Sequence, residues 1–365
     1  MKTILLPLSV LLCAICFGQN SLLKPGYHTE EYLEMIRIST RQLDSLYNPD
    51  LPAPKYFERA YRSKPMGLDN RWELWVSGDS LAAISIRGTT KNQSSWVENF
   101  YSVMVPAKGS LHISNDFIFD YQLCENEKAA VHCGWLIGTA SLVRDIMPKI
   151  DSCFQAGIKD FYITGHSQGG AISFLMASYL ESQKNSGRLD STITFKTYCS
   201  AAPKPGNLYF AYEYEATFQK GWAYNIVNSA DWVPEGPFTI QTIDDYNYSN
   251  PFKGARDQLK SSPFLERTAL TFAFNRLDKP TKRANKNFQK YLGREMSDVV
   301  TNYLPEYQNP KFYNSSNYVR AGHTIVLFAD KDYYVLFPDE DENIWKHHMF
   351  ESYLFLAEKL GNELK

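Results

Sequence analysis

Ser167 stands in the segment Gly165-His166-Ser167-Gln168-Gly169-Gly170, with a glycine two residues to either side. That spacing suits a nucleophile carried on a sharp turn between a strand and a helix. The turn strains the serine backbone and tolerates only tiny neighbours, so the hydroxyl projects above the end of the sheet. The helix that follows offers free N–H groups and its positive dipole end to a developing oxyanion. The flanks have the patterns this requires: Phe161 to Thr164 reads as a short apolar strand, and Ala171 to Leu180 as a helix with Leu175, Met176 and Leu180 on its apolar side. His166 reads as structural, its ring directed away from the hydroxyl.

A serine hydroxyl needs a histidine to take its proton, and the histidine needs an acid to fix its tautomer. On this kind of turn the chain order is serine, acid, histidine. That order removes His28, His112 and His132 and leaves His323, His347 and His348. Asp231 follows the β-rich run Ala223 to Val227, as a strand-end acid should, whereas Asp244 and Asp245 have no comparable strand before them. A second serine pattern, Gly78-Asp79-Ser80-Leu81, spells the start of the GDSL hydrolases. Those enzymes pair the serine with Asp-x-x-His, and neither His347 nor His348 has an aspartate three residues before it, so a hairpin turn is expected there. No His-Glu-x-x-His or clustered Cys/His pattern occurs, so neither a metal nor another cofactor is expected.

Alternating strand and helix patterns must position these residues, which predicts a mostly parallel sheet flanked by helices. Thr29 to Leu46 has helical spacing, and Trp72 to Val76 with Ala82 to Ile86 reads as a hairpin that ends at Arg87-Gly88-Thr89. Leu136 to Phe154 is helical in pattern, with a kink or break expected at Pro148. Thr194 to Cys199 and Ala223 to Val227 are further strand candidates. The stretch from Glu235 to Asn317 is polar, with a helical portion at Phe264 to Phe274. Strand patterns return at Thr324 to Phe328 and Tyr333 to Phe337, before a closing helix from Ile344 to Leu360.

The chain begins with Lys2 and the apolar run Ile4 to Phe17, followed by Gly18-Gln19-Asn20, the pattern of a cleavable export signal over residues 1–18. A single domain with an insertion at about 235–317 is expected for residues 19–365. The net charge of −2, without a basic run, gives no reason to expect nucleic-acid binding, and no stable transmembrane anchor is expected. Cys124, Cys133, Cys153 and Cys199 remain after removal of the signal. Three pairings are possible; a local Cys124–Cys133 bridge is the expectation, with Cys153 and Cys199 as buried thiols.

Several ordered segments resemble the class 3 lipases, the family of the secreted fungal triacylglycerol lipases. They are Ser85-Ile86-Arg87-Gly88-Thr89, Trp96-Val97-Glu98-Asn99-Phe100, Val131-His132-Cys133-Gly134-Trp135, the Ser167 turn, Ala202 to Asn207, and Asn228 to Pro234. The resemblance covers most of Trp72 to Val233 together with the C-terminal helix. It implies an α/β-hydrolase fold, Ser167 as nucleophile, Asp231 as acid, and backbone oxyanion donors at Thr89 and Gln168. Family members usually carry leucine at the position of Gln168, which leaves the backbone donor untouched. The family's histidine opens a late helix with a tyrosine a few residues on, which implies His348, with Tyr353 five residues later and His347 as its near rival. It also implies a mobile lid from Thr90 to about Pro106, with Trp96, Val97, Phe100 and Tyr101 as its apolar set; a surface helix packed on the core is the other reading. The expected function is secreted or envelope-located hydrolysis of acylglycerols or related lipid esters, with transient contact at a lipid interface. Phospholipase A1 or carboxylesterase activity, and a non-catalytic envelope binding protein on the same fold, are the alternatives.

Overall fold

In a computed structural model, the protein is described over residues 21–42, 50–252 and 264–363; the export-signal expectation for residues 1–18 lies outside them. Helix α1 (Thr29–Thr40) comes first, then β1 (Glu58–Arg62) and the hairpin of β2 (Trp72–Ser77) and β3 (Leu81–Ile86). Helix α2 (Gln93–Phe100) leads to β4 (Met104–Pro106), the hairpin of β5 (Lys108–Ser114) and β6 (Phe117–Gln122), and β7 (Ala130–His132). The central run is α3 (Cys133–Gln155), β8 (Asp160–His166), α4 (Gln168–Asn185), β9 (Thr194–Ser200), β10 (Gly206–Asn207), α5 (Leu208–Thr217) and β11 (Ala223–Asn228). Then come α6 (Phe264–Gln289), a π-helical stretch Lys290–Glu295, α7 (Met296–Thr301), β12 (Tyr318–Val319) and β13 (His323–Leu327). Helix α8 (Lys331–Leu336), a 3-10 turn Lys346–His348 and α9 (Phe350–Glu363) end the described chain.

The main sheet has the order β1-β2-β3-β8-β9-β11-β13. The two pairs at the β1 end are antiparallel, and every pair from β3 to β13 is parallel. A parallel sheet covered on both faces favours strands with little polar alternation, and β8 is buried along its whole length. Its side chains still alternate between faces. Phe161 and Ile163 pack with Leu136, Ile146 and Leu175 of α3 and α4, whereas Tyr162 joins Tyr32, Ile36 and Leu354 of α1 and α9 on the other side. Two cores therefore clamp the strand whose C-terminal end carries Ser167.

Other sequence expectations are corrected. Pro148 neither ends nor breaks α3, which runs through it. The proline faces solvent while Ile146, Met147 and Ile150 are buried around it, so core packing holds the helix where one backbone bond is missing. The aromatic run at Tyr333 lies in a helix, not a strand: Asp330 caps α8 by accepting from the Tyr333 N–H at 3.0 Å, and Tyr333 is buried while Val335 is exposed. The helical portion of the 235–317 segment extends to Gln289, well beyond Phe274. Cys124 and Cys133 are not bridged; among the described residues Cys124, Cys133, Cys153 and Cys199 are buried free thiols. Among the described residues no helix is long and apolar enough to cross a membrane.

Candidate active site

The turn at Ser167 is assembled by atoms that leave no room for side chains. A Cβ on Gly165 would lie 2.3 Å from the Gly169 carbonyl, and one on Gly169 would lie 2.2 Å from the Ile86 oxygen. A Cβ on Gly88 would come within 2.8 Å of the His166 oxygen, so the Arg87-Gly88-Thr89 loop lies directly against the turn. Ser167 has φ 62° and ψ −130°. Positive φ costs a non-glycine residue on the order of 1–3 kcal/mol and persists only where the surroundings over-determine it. Here the Ser167 N–H donates to the Ser200 carbonyl at 2.9 Å, and its own carbonyl accepts from Ala171 at 3.1 Å as α4 begins. Gln168 follows in the first turn of α4, where its N–H has no carbonyl of its own helix to meet. The half-buried Ser167 hydroxyl has no hydrogen-bond partner among the described residues.

Asp231 lies just beyond the end of β11 and is buried. Its Oδ1 accepts from the Val233 N–H at 3.0 Å, while its Oδ2 meets His348 Nδ1 at 2.7 Å and the Tyr353 hydroxyl at 2.8 Å. Burial by itself would raise this carboxyl, but His348, the Val233 N–H and Tyr353 together hold it below the usual aspartate range. The Tyr353 hydroxyl also accepts from the Asn228 N–H at 3.1 Å, tying α9 to the strand that delivers the acid. With Nδ1 engaged, His348 presents Nε2 with no partner among the described residues.

The other two histidines are occupied or distant from the acid. His347 sits between the Tyr333 hydroxyl at 2.7 Å and Asp339 at 3.0 Å, facing away from Asp231. His323 opens β13 at the edge of the sheet and is exposed. Asp245 caps its own turn through Thr242 and accepts from Ser315, so it is not available as an acid here.

Thr89 carries no backbone hydrogen bond on its N–H among the described residues, and its loop is fixed on two sides. Asp69 bonds Arg87 at 3.1 Å, the Thr90 hydroxyl at 2.6 Å and the Asn92 amide at 2.8 Å. Asn99 donates to the Thr89 hydroxyl at 2.9 Å, accepts from the Trp135 indole at 2.9 Å, and offers its carbonyl to His132 Nε2 at 3.1 Å. No local pattern around Asn99 marks this role, because its contact with Thr89 needs 132–135 folded against α2. Gln168 accepts from Ser95 at 3.1 Å, beside a buried Glu98 that takes the Asn70 amide at 2.5 Å. Burial pushes the Glu98 carboxyl up to about 8 despite the hydrogen bonds from Asn70 and Gln168.

These bonds bear on the expected lid. Val97 and Tyr101 are buried in the main core, and the Tyr101 and Val103 carbonyls accept from Gly134 and Cys133 at the start of α3. A Cβ on Gly134 would lie 1.9 Å from the Glu98 carbonyl, so the two segments touch through backbone. Val97, on α2, and Tyr101, just after it, thus lie packed against the core in this structure. Trp96 and Phe100 remain at the rim, stacked on one another, with Trp96 edge-on to Trp345, which in turn contacts Trp232 and His348.

With this geometry in place, residues 83–241 match the family described as Lipase (class 3). Over that segment, the chain is similar to the class 3 lipases. The matched segment holds the β3 loop, the Ser167 turn and Asp231, while α1, α6 and His348 lie outside it. The secreted mono- and diacylglycerol lipase 1 of Fusarium solani is 28% identical over 154 residues, which is 41% of this chain; the chain spans about 42% of that relative's length. Among solved structures, the native Rhizomucor miehei lipase propeptide complex is 19% identical, with a TM-score of 0.42 over 59% of this chain and 65% of that one. The lipase of Rhizopus microsporus var. chinensis gives 19% identity and a TM-score of 0.41 over 59% of this chain and 71% of that one. The family and the mostly parallel sheet together make this an α/β-hydrolase fold.

Proposed function

We propose that the protein is a serine ester hydrolase of lipase type, with Ser167, His348 and Asp231 as its triad. The observation that carries the reading is a serine held at φ 62° on a strand-to-helix turn, in a fold that also pairs a buried aspartate with a histidine at 2.7 Å. In the proposed reaction Ser167 Oγ attacks the ester carbonyl while its proton passes to His348 Nε2. Asp231 holds the ring through Nδ1 and stabilises the imidazolium. The N–H groups of Thr89 and Gln168 receive the oxyanion. As the tetrahedral intermediate collapses, the ester C–O bond breaks and the departing alcohol takes the proton from His348. Water, deprotonated by the same imidazole, then attacks the acyl-serine and releases the acid.

Acylglycerols or related lipid esters are the proposed substrates. The aromatic rim of Trp96, Phe100, Trp232 and Trp345 beside His348 supports an apolar acyl or glyceride group, as does the lipase naming of the Fusarium relative. Export to the cell envelope or medium is proposed from the apolar leader, and contact with a lipid surface would be transient.

The test is labelling by a fluorophosphonate together with hydrolysis of a short nitrophenyl ester. Ser167→Ala is expected to abolish labelling and lower turnover on the order of a millionfold. Near-native hydrolysis by that variant would sink the proposal. A chain-length series of glycerides and phospholipids then separates lipase from phospholipase A1 and carboxylesterase activity.

A further inference from the structure

His166 has no part in the proposed chemistry, yet it is buried with both ring nitrogens engaged. Nε2 lies 2.8 Å from the main-chain carbonyl of His348, and Nδ1 lies 3.0 Å from the Ser200 hydroxyl. A carbonyl has no proton to give, so Nε2 must carry the hydrogen and donate. A neutral ring then has a bare Nδ1, which must accept the Ser200 proton. Ser200 Oγ also lies 2.8 Å from the Tyr32 hydroxyl, and with its own proton spent it accepts there. Every proton is thereby assigned: Tyr32 donates to Ser200, Ser200 to His166, and His166 to the His348 carbonyl. Desolvation, helped by the neighbouring His348, drives the His166 pKa down to about 3 and keeps the ring neutral, as this assignment requires.

We propose that Tyr32, Ser200 and His166 form a one-directional hydrogen-bond relay that positions His348 by its backbone, complementing Asp231, which holds the same residue by its ring. The proposal rests on the triad reading. Its three members come from α1, β9 and the end of β8, and the carbonyl they reach lies in the 3-10 turn before α9, so one line of hydrogen bonds joins four separate segments. Tyr32 lies outside the matched stretch 83–241, which gives the N-terminal helix a role at the site. Ring packing reinforces the relay: the His166 ring centroid is 4.9 Å from that of His348, 4.4 Å from Phe350 and 5.1 Å from Tyr353. The three relay residues are positioning residues; none is assigned contact with substrate.

The experiment measures the rate of Ser167 acylation by a fluorophosphonate, and kcat and KM on a nitrophenyl ester, for the full chain and four variants. Folded fraction is measured in parallel by circular dichroism. Misplacing a catalytic group by a fraction of an ångström to 1 Å costs up to about a hundredfold, so His166→Phe is expected near that figure and Ser200→Ala and Tyr32→Phe near tenfold. KM should stay within about twofold, because the loss lies in the geometry of the base and not in substrate binding. His166→Gln, whose amide also donates and accepts, is expected to recover most of the rate lost in His166→Phe. Wild-type acylation rates in both Tyr32→Phe and Ser200→Ala would overturn the relay, as would losses that merely track the unfolded fraction. If the wild-type chain itself neither labels nor hydrolyses, the triad reading fails instead.

Discussion

The Ser167 turn and helix α6 lie at opposite extremes of constraint. At the turn, glycines at 165, 169 and 170 sit against backbone from β3, β9 and α4 so closely that added Cβ atoms would fall within 2.9 Å of their neighbours. Helix α6 is anchored mainly at its C-terminal end, where Phe288 packs on Tyr318 and Asn285 accepts from Ser316 at 2.8 Å. Further back, Leu270, Phe272 and Leu277 are exposed, and Arg276, Lys279 and Arg283 face solvent. The difference separates two ways in which sequence acts. In a crowded turn each residue is chosen against atoms far away in the chain, whereas a surface helix is held by local propensity and a few anchoring contacts.

The comparison sharpens most at the acid. Asp231→Asn preserves shape but favours the wrong tautomer of His348, so kcat on a nitrophenyl ester should fall by about ten-thousandfold with little change in melting temperature. A drop below tenfold would remove Asp231 from the role proposed for it. Gly169→Ala comes next. Its Cβ would meet the Ile86 oxygen at 2.2 Å, and backbone cannot swing aside like a side-chain tip, so stability should fall by roughly 3 kcal/mol or more in chemical denaturation. Unchanged stability would mean that the turn is looser than its contacts indicate.

A smaller effect is expected from Glu98→Gln. The Glu98 carboxyl is raised from 4.5 to about 8 in the folded chain, so between those values the native state binds a proton that the unfolded state has lost. Its contribution is therefore present below pH 4.5 and declines as pH rises through 8. The variant should flatten the alkaline fall in melting temperature. It should leave the acid side, where His132 and His166 are lowered from 6.5 to about 3, declining as pH drops below 6.5. An unaltered alkaline limb would contradict this assignment. At the far end of the comparison, Lys279→Ala on exposed α6 should change stability by less than about 0.5 kcal/mol and leave ester hydrolysis untouched.

Much of the site could be read along the chain because its constraints are local. A glycine-flanked serine, a strand before it and a helix after it are a contiguous requirement, and they appear in β8 and α4 with their boundaries at His166 and Gln168. Local pattern misleads where packing overrides it: Pro148 lies inside α3, and the aromatic run of α8 reads as a strand although Asp330 caps it as a helix. Long-range pairing was the least legible. Strands β4, β7, β10 and β12 are two or three residues long and form a second sheet from segments about two hundred residues apart, leaving too short a pattern to recognise.

What the sequence determined by itself was the chemistry on offer: a serine on a turn that only glycine neighbours permit, an aspartate after a strand, and late histidines in the required order. Tertiary structure decided which imidazole faces Asp231, because His347 and His348 are adjacent and only the path of the 3-10 turn turns one ring toward Asp231 and the other toward Tyr333 and Asp339. It likewise decided that Asn99 holds Thr89 and that Tyr32 reaches His348 through Ser200 and His166. Hydrogen bonds act over about 3 Å in space whatever the separation along the chain, so their partners are set only when the sheet and its two cores have formed.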